Sequence, residues 1–388
     1  MKSFKVIHAP TAVGGNPPAL SRALRAQGIQ SECCIISQNY LAYEVDRVLV
    51  PAGARFLQCE FKRLAFIFEC LFKYDIIHYN AGTTIATANI IEWPAPGKGV
   101  SSLKRFVYSA YLRGLQYFEV SLFKLFRKKL FLTYQGDDAR QGDYCRQHYA
   151  VSIATQVDAS YYSDASDAFK RHNIKYLARH CEQVYALNPD LMNVLPPSAK
   201  FVPYSHVRFD QWRFSCEGLL ADRPLRIVHA PTHRRVKGTD LILEALQALE
   251  QEGLHFELTL VEGLPQAEAR KRYEQADVLI DQLFAGWYGG LAVELMALGK
   301  PVLVYVREED LTFIPDQMRE ELPFINVDPF NVKERLREVL TMPRERLVDL
   351  ATRSRAFVEK WHDPARIARL ISEDYEAAMR TSKVGGRH

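Results

Sequence analysis

The chain has 388 residues, 48% apolar and 25% charged, with 20 Gly and 19 Pro, a globular composition that excludes disordered, collagen-like and coiled-coil proteins. At roughly 100–200 residues per domain its length predicts two domains, each with its own core. Residues 1–208 carry 25 Lys and Arg against 16 Asp and Glu, whereas residues 209–388 carry 25 against 30. The formal charge of +4 therefore joins a basic half, suited to a membrane, a nucleic acid or a phosphorylated substrate, to an acidic one.

The opening MKSFKVIHAPTAVGG has only a short apolar stretch between Lys5 and Gly14, too short for a secretory leader. No later stretch reaches the ~18 apolar residues of a membrane span. Seven cysteines without a Cys-x-x-Cys pair argue against a disulfide framework or a zinc site and fit reduced thiols. The expectation is a cytoplasmic protein, soluble or peripheral on the inner face of the plasma membrane.

Phe4–Ile7 is β-prone and leads through a turn-rich loop with Gly14-Gly15 into a helix. Asn16 is placed there as the N-cap and Pro17 as the first helical residue, and Gly28 stops the helix. This is the βα unit of a doubly wound sheet. Arg55–Lys73 is dense in Phe and Leu with mixed charges and is read as core-packed helix, with an interfacial amphipathic surface as the alternative. Ser101–Leu130 carries Lys104, Arg105, Arg113, Lys124, Arg127, Lys128 and Lys129 against the single acid Glu119, interleaved with seven Phe and Tyr. It is read as an interfacial amphipathic surface for anionic lipid, the alternative being core-packed helix with a solvated basic side; nucleic acid is set aside because no recognised motif accompanies the charge.

The βα unit recurs at Arg226–Ala230, whose loop Pro231–Gly238 leads into a helix capped by Thr239 and ended by Gly253. The strand Phe256–Val261, a polar helix near Ala267–Gln275, the strand Asp277–Asp281, the helix Gly290–Leu298 and the strand Pro301–Val306 follow. Such alternation predicts parallel sheets, with a hinge near 207–224. A last helix, 363–379, starts at an Asp-Pro cap and precedes a polar tail expected to be disordered.

The stretch 276–302 carries the most specific signal: a strand running through a glycine-rich loop into a helix at the sheet's carboxyl edge. That helix N-terminus presents free backbone N–H groups and a partial positive charge, which suit a phosphate. Glu294, one turn in, is placed to accept hydrogen bonds from a ribose diol; its bland alternative is a first-turn acid favoured by the helix dipole. Arg234 and Lys237 sit in the loop after the second domain's first strand, and Gly238 beside them admits close backbone approach. Together they form a cationic clamp for a diphosphate, although solvated loop cations are the commoner fate of such a pair.

These residues resemble the retaining GT-B glycosyltransferases, especially glycosyltransferase family 4. That family has a Glu, seven residues and a second Glu, followed by Met-Ala-x-Gly-x-Pro-Val. Glu294 matches the second Glu and Met296–Val302 the run, while the first Glu falls on Gly286. Lys237-Gly238 matches the family's phosphate loop, whose usual Arg falls on Thr232, with Arg234 as a shifted substitute. Gly14-Gly15 is similar to its N-domain glycine loop, and Tyr74–His78 to its Asp-x-x-His strand end. Gln135–Arg140 is similar to its His-Gly-Ser-Asp-x-Arg stretch, with Gln135 in place of the His.

The resemblance implies two Rossmann-like α/β domains facing each other across a cleft. Residues 1–207 would bind acceptor and 208–362 the nucleotide-sugar; 363–380 would form a helix packing back toward the N-domain, and 381–388 a tail. It implies Arg234, Lys237, Asp137, Asp138 and His78 as catalytic groups. The donor site is predicted at Gly14, Gly15, Gly238, Glu262, Gly263, Tyr288, Gly289, Gly290 and Glu294. Arg140, Lys124, Arg127, Lys128 and Lys129 fall on the acceptor or membrane side. Asp137 and Asp138 are equally open to a capping role and His78 to a satisfied strand-end role. The implied activity is metal-independent, cofactor-free, retaining transfer from a UDP- or GDP-linked sugar to a lipid-linked or envelope glycan in a bacterial cell. A degenerate binder of nucleotide-sugar or glycan and a GT-B nucleotide-sugar epimerase remain as alternatives. A nicotinamide dehydrogenase does not, because neither loop reads Gly-x-Gly-x-x-Gly.

Overall fold

The computed structural model describes residues 4–38, 42–51, 53–88, 102–158 and 161–384. The side chains of Ser102, Arg105 and 382–384 also lie outside the described set, so of the basic segment Ser101 and the Arg105 side chain cannot be placed. The same holds for residues 385–388 of the predicted tail.

Seven short strands form the first sheet: β1 Lys5–Ala9, β2 Gln30–Ile35, β3 Arg47–Val48, β4 Ile76–Asn80, β5 Lys129–Tyr134, β6 Gln183–Ala186 and β7 Lys200–Phe201. Five form the second: β8 Leu225–His229, β9 Phe256–Leu260, β10 Val278–Ile280, β11 Val302–Val304 and β12 Ile325–Asn326. The orders are β3-β2-β1-β4-β5-β6-β7 and β12-β11-β10-β8-β9, and every pairing is parallel, as in Val6↔Ile76 and Val278↔Ile227. The central strands are apolar runs buried on both faces because crossover helices cover each side. The predicted doubly wound α/β class is what the chain adopts.

Local details differ from the sequence reading for physical reasons. Asn16 is the first helical residue, not the cap; Gly15 caps the helix Asn16–Ala26 in a left-handed conformation. This frees the Asn16 side chain, whose Oδ1 accepts from the Ser205 amide at 2.8 Å and whose Nδ2 donates to the Gly14 carbonyl at 3.3 Å. Thr239 likewise follows its cap, Gly238, and gives its hydroxyl to buried His229. The final helix runs Pro364–Val384, with Asp363 accepting from the amides of Ala365 and Arg366 at its start.

The chain crosses between the sheets twice. The segment after β7 leads into the second sheet, and the helix Pro364–Val384 returns to the first. There Tyr375 packs edge-on to Phe131 at 4.7 Å, and Asp374 binds Tyr185 and Lys200. A third tie is Arg307, which follows β11. It donates to the Val151 carbonyl (2.9 Å) and to Asp310 (2.7 Å), and its guanidinium lies 3.6 Å from the Tyr149 ring centroid.

Candidate active site

A cavity of about 710 Å³ opens between the carboxyl edges of the two sheets. Gly14 and Tyr43 contribute from the first domain and His206 from the connecting segment. The second domain contributes Thr232, Lys237, Glu262, Gly263, Gly289, Gly290 and Glu294.

Its floor is built from two strand ends. After β8 the chain makes one helical turn, Arg234–Lys237, closed by Gly238 at φ +78°. A Cβ at Gly238 would stand 3.0 Å from Leu283 and Phe284 atoms, so conformation and space both require glycine. His229 beneath is neutral. Its Nδ1 lies 2.8 Å from the Ile280 carbonyl and so donates, leaving Nε2 to accept from Thr239, while burial pulls its pKa down to about 4. After β10, Asp281 places one carboxylate oxygen 2.8 Å from the Lys237 ammonium and the other 3.0 Å from the Gly289 amide. Gln282 Oε1 accepts from the same ammonium at 2.8 Å. Two of the three ammonium protons are thus taken from below, and the third is left for the cavity.

Gly289 caps the helix Gly290–Ala297 and its carbonyl takes the Ala292 amide at 3.1 Å, while the amides of Gly290 and Leu291 have no partner within the helix. Lys237 Nζ lies 3.7 Å from where a Gly289 Cβ would stand, so ammonium and helix N-terminus converge. Glu294 reaches the cavity one turn in; Gln266 donates to it at 3.3 Å, and His206 Nε2 lies 3.6 Å away.

The other predicted site residues fall elsewhere. Arg234 does not line the cavity: it pairs bidentately with Glu262 at 2.9 Å, turned outward, and Glu262 forms the rim in its place. The pair holds the Glu262 carboxyl below its ordinary pKa. Thr232, at the position of the family's Arg, does line the cavity. Tyr288 is a core residue; it donates to His362 Nε2 at 2.9 Å and is fully buried. His78 is buried below the cleft between the Tyr375 and Thr133 hydroxyls, a place for a neutral ring and not for substrate.

Asp137 accepts from Arg140 and from the hydroxyls of Tyr161 and Tyr162, while Arg140 is clamped bidentately by Asp190. Asp138 accepts the amides of Gln135 and Gly136, and its burial lifts its pKa to about 6. These groups brace the loop that brings Gln135 Oε1 to 3.8 Å from a Cβ position on Gly14; none lines the cavity. Gly15 is covered by the Tyr43 ring. Lys124 and Lys129 share Glu182, and Lys128 donates to the Tyr74 carbonyl. With Arg127 they sit at the amino edge of β5, the opposite end of the sheet from the cleft.

Gly286, where the family's first Glu would fall, has φ +77°, and a Cβ there would lie 2.6 Å from Arg307 Nη1. The space that acid would enter is filled by the guanidinium tying the domains together. Sequence reasoning missed Asp281 and Gln282, although both directly follow β10 at the same edge as Lys237. It also missed His206 and Gln266, which only tertiary structure brings to Glu294. Among the described residues no group of three or more His, Cys, Asp or Glu is arranged to hold a metal ion.

No protein-family model matches the chain, and no curated protein matches it in sequence. Solved structures do match. Sucrose-phosphate synthase from Thermosynechococcus elongatus is similar at 16% identity over 97% of this chain and 100% of that one, with a TM-score of 0.61. The catalytic domain of starch synthase IV from Arabidopsis thaliana, bound to ADP and acarbose, is similar at 11% identity over 97% and 99%, with a TM-score of 0.58. Anabaena HepE in complex with UDP is similar at 12% over 96% and 100%, with a TM-score of 0.56. The chain has the GT-B architecture, two parallel-sheet α/β domains facing each other across a cleft.

Proposed function

We propose that this chain is a glycosyltransferase that moves a sugar from a nucleoside-diphosphate donor to a lipid-linked or cell-envelope glycan, with retention of configuration and without a bound metal. One observation carries this reading: Lys237, the helix N-terminus at Gly289–Gly290 and Glu294 line a single cavity that Gly14 closes from the opposite domain. The UDP and ADP held by the HepE and starch synthase IV structures support a nucleoside diphosphate as the occupant.

In this mechanism the third Lys237 proton and the Gly290 and Leu291 amides hold the diphosphate and stabilise the charge that builds on it as it departs. Glu294 accepts from the ribose diol. The anomeric C–O bond to the diphosphate breaks, and the acceptor oxygen bonds the same carbon from the face just vacated. The acceptor proton passes to the departing phosphate oxygen, so no protein base is consumed. Domain closure supplies orientation and excludes water.

A second reading, binding without turnover, is favoured by the filled space at Gly286 and by Asp281 already occupying Lys237. Thermal-shift measurements against UDP, GDP, ADP and their sugars, followed by donor hydrolysis and transfer assays, separate the two. Stabilisation with turnover that Lys237→Ala abolishes supports transfer; stabilisation without any turnover supports the binder; no stabilisation by any nucleotide overturns both.

A further inference from the structure

The helices Phe56–Lys73 and Ser102–Leu125 lie side by side over the first sheet, in contact through Phe56–Tyr108 and Phe68–Phe118. Their inner faces, with Phe66, Ile67, Cys70, Leu115, Val120 and Phe123, complete the core. Their outer faces are also apolar: Leu57, Phe61, Phe72, Leu103, Phe106 and Leu125 are each between 68% and 79% exposed. At 100° per residue these positions fall on one stripe of each helix. Six large apolar side chains held in water on two adjacent helices exceed what an ordinary soluble surface carries without a partner.

The charges select the partner. Glu119, the single acid of the second helix, is buried, while Lys104 and Arg113 are exposed. The acids of the first helix are drawn aside: Glu60 takes the Tyr108 and Tyr111 hydroxyls, and Glu69 takes Arg47. What remains outward is apolar and cationic. No helix among the described residues is long and apolar enough to cross a membrane.

We propose that this two-helix face docks on an anionic phospholipid bilayer, with the aromatic and aliphatic stripes at headgroup depth and Lys104 and Arg113 against lipid phosphates. The first helix, read from sequence as core-packed, carries half of the stripe. Lys124, Lys128 and Lys129, tied to the protein at the sheet's far edge, play no part.

The face is also wired to the cleft. Buried Arg63 donates to the carbonyls of Ala86 and Ala88, and Glu119 accepts the amides of Ile85 and Ala86. Both helices thereby grip the segment that follows β4. That segment helps line a second cavity of about 260 Å³ with Pro10, Thr11, Val13, Ile36, Thr83 and Ala88. Tyr43 walls both this cavity and the donor cavity. The buried Thr11 hydroxyl has no partner there. A bilayer under the two helices would present an acceptor headgroup to this second cavity, a step that rests on the transfer reading; the docking itself does not.

The test is flotation of the full chain with phosphatidylcholine vesicles with and without phosphatidylglycerol, alongside sedimentation velocity. Binding should require phosphatidylglycerol and weaken with salt. Phe61→Glu with Phe106→Glu should lower it at least tenfold while leaving donor hydrolysis unchanged. Binding to neither vesicle, or binding insensitive to the double substitution, overturns the proposal. A dimer that the double substitution disperses, without vesicle binding, assigns the face to self-association and also overturns it. Vesicle binding without any donor turnover would leave docking standing and remove the transfer reading alone.

Discussion

Asp281 holds the two donors that a phosphate would seek, the Lys237 ammonium at 2.8 Å and the Gly289 amide at 3.0 Å. The carboxylate is fully buried and the lysine nearly so. The anion site is thus pre-assembled around an internal anion that orients Lys237 and lowers the net charge the donor meets.

Removing Lys237 therefore has two effects that must be separated. Lys237→Ala should cut turnover at least tenfold, about 1.4 kcal/mol of transition-state stabilisation, and should also destabilise the fold by ~3–5 kcal/mol by stranding a buried carboxylate. Lys237→Met with Asp281→Asn should recover most of the stability and none of the activity. Recovery of activity in the double variant would show that Lys237 only neutralises Asp281. Arg234→Ala, whose exposed pair with Glu262 lies at the rim, should cost less than tenfold. Steady-state kinetics with denaturation midpoints reads all three.

Glu294 tests the nucleoside end. Glu294→Gln keeps the shape and loses the charge-assisted acceptor, so the donor Michaelis constant should rise about tenfold with kcat changed much less. A fall in kcat at unchanged Michaelis constant would move Glu294 from ribose recognition to the reacting centre.

Gly286 is explained by its neighbour. A side chain there meets both a positive φ and the Arg307 guanidinium. Gly286→Ala should thus cost roughly 1–3 kcal/mol and loosen the contact of Arg307 with Val151. Gly286→Glu, which places an acid where glycosyltransferase family 4 has its first Glu, should lower the melting temperature further without raising turnover. A stable, more active Gly286→Glu variant would refute the view that Arg307 excludes the acid.

What was legible follows from which forces are local. Apolar strands ending in glycine loops declare a parallel sheet, and a strand's carboxyl end fixes where Lys237, Gly289 and Glu294 stand. Side-chain direction at a strand end is not local. His78 is claimed by Tyr375, 297 residues on, and Arg140 by Asp190. Arg234 is claimed by Glu262, 28 residues on, which holds it away from Lys237. The helix Phe56–Lys73 has apolar residues on both faces, so composition alone could not say which face the sheet would take.

The histidines predict how the fold responds to acid. Burial pulls His8 and His362 down to about 3 and His229 to about 4, and His78 lies well below its ordinary value. Unfolding therefore takes up protons at these four sites once the pH is below about 6.5, and stability must fall as pH drops through 6 to 5. Three carboxyls oppose the trend: burial raises Glu119 to about 7, Asp138 to about 6 and Asp310 above its ordinary value, so the folded chain keeps protons there that the unfolded chain has released. The four histidines outnumber these carboxyls, so the net effect of unfolding near pH 5.5 is proton uptake and a loss of stability toward acid. His362 donates from Nδ1 to the Tyr204 carbonyl and accepts from Tyr288, a pattern that a glutamine amide also provides. His362→Gln should accordingly reduce the slope by about one proton while retaining the fold. Urea midpoints between pH 5 and 7.5 measure it, and a wild-type curve that is flat or that rises toward acid would contradict the neutral, buried state assigned to these rings.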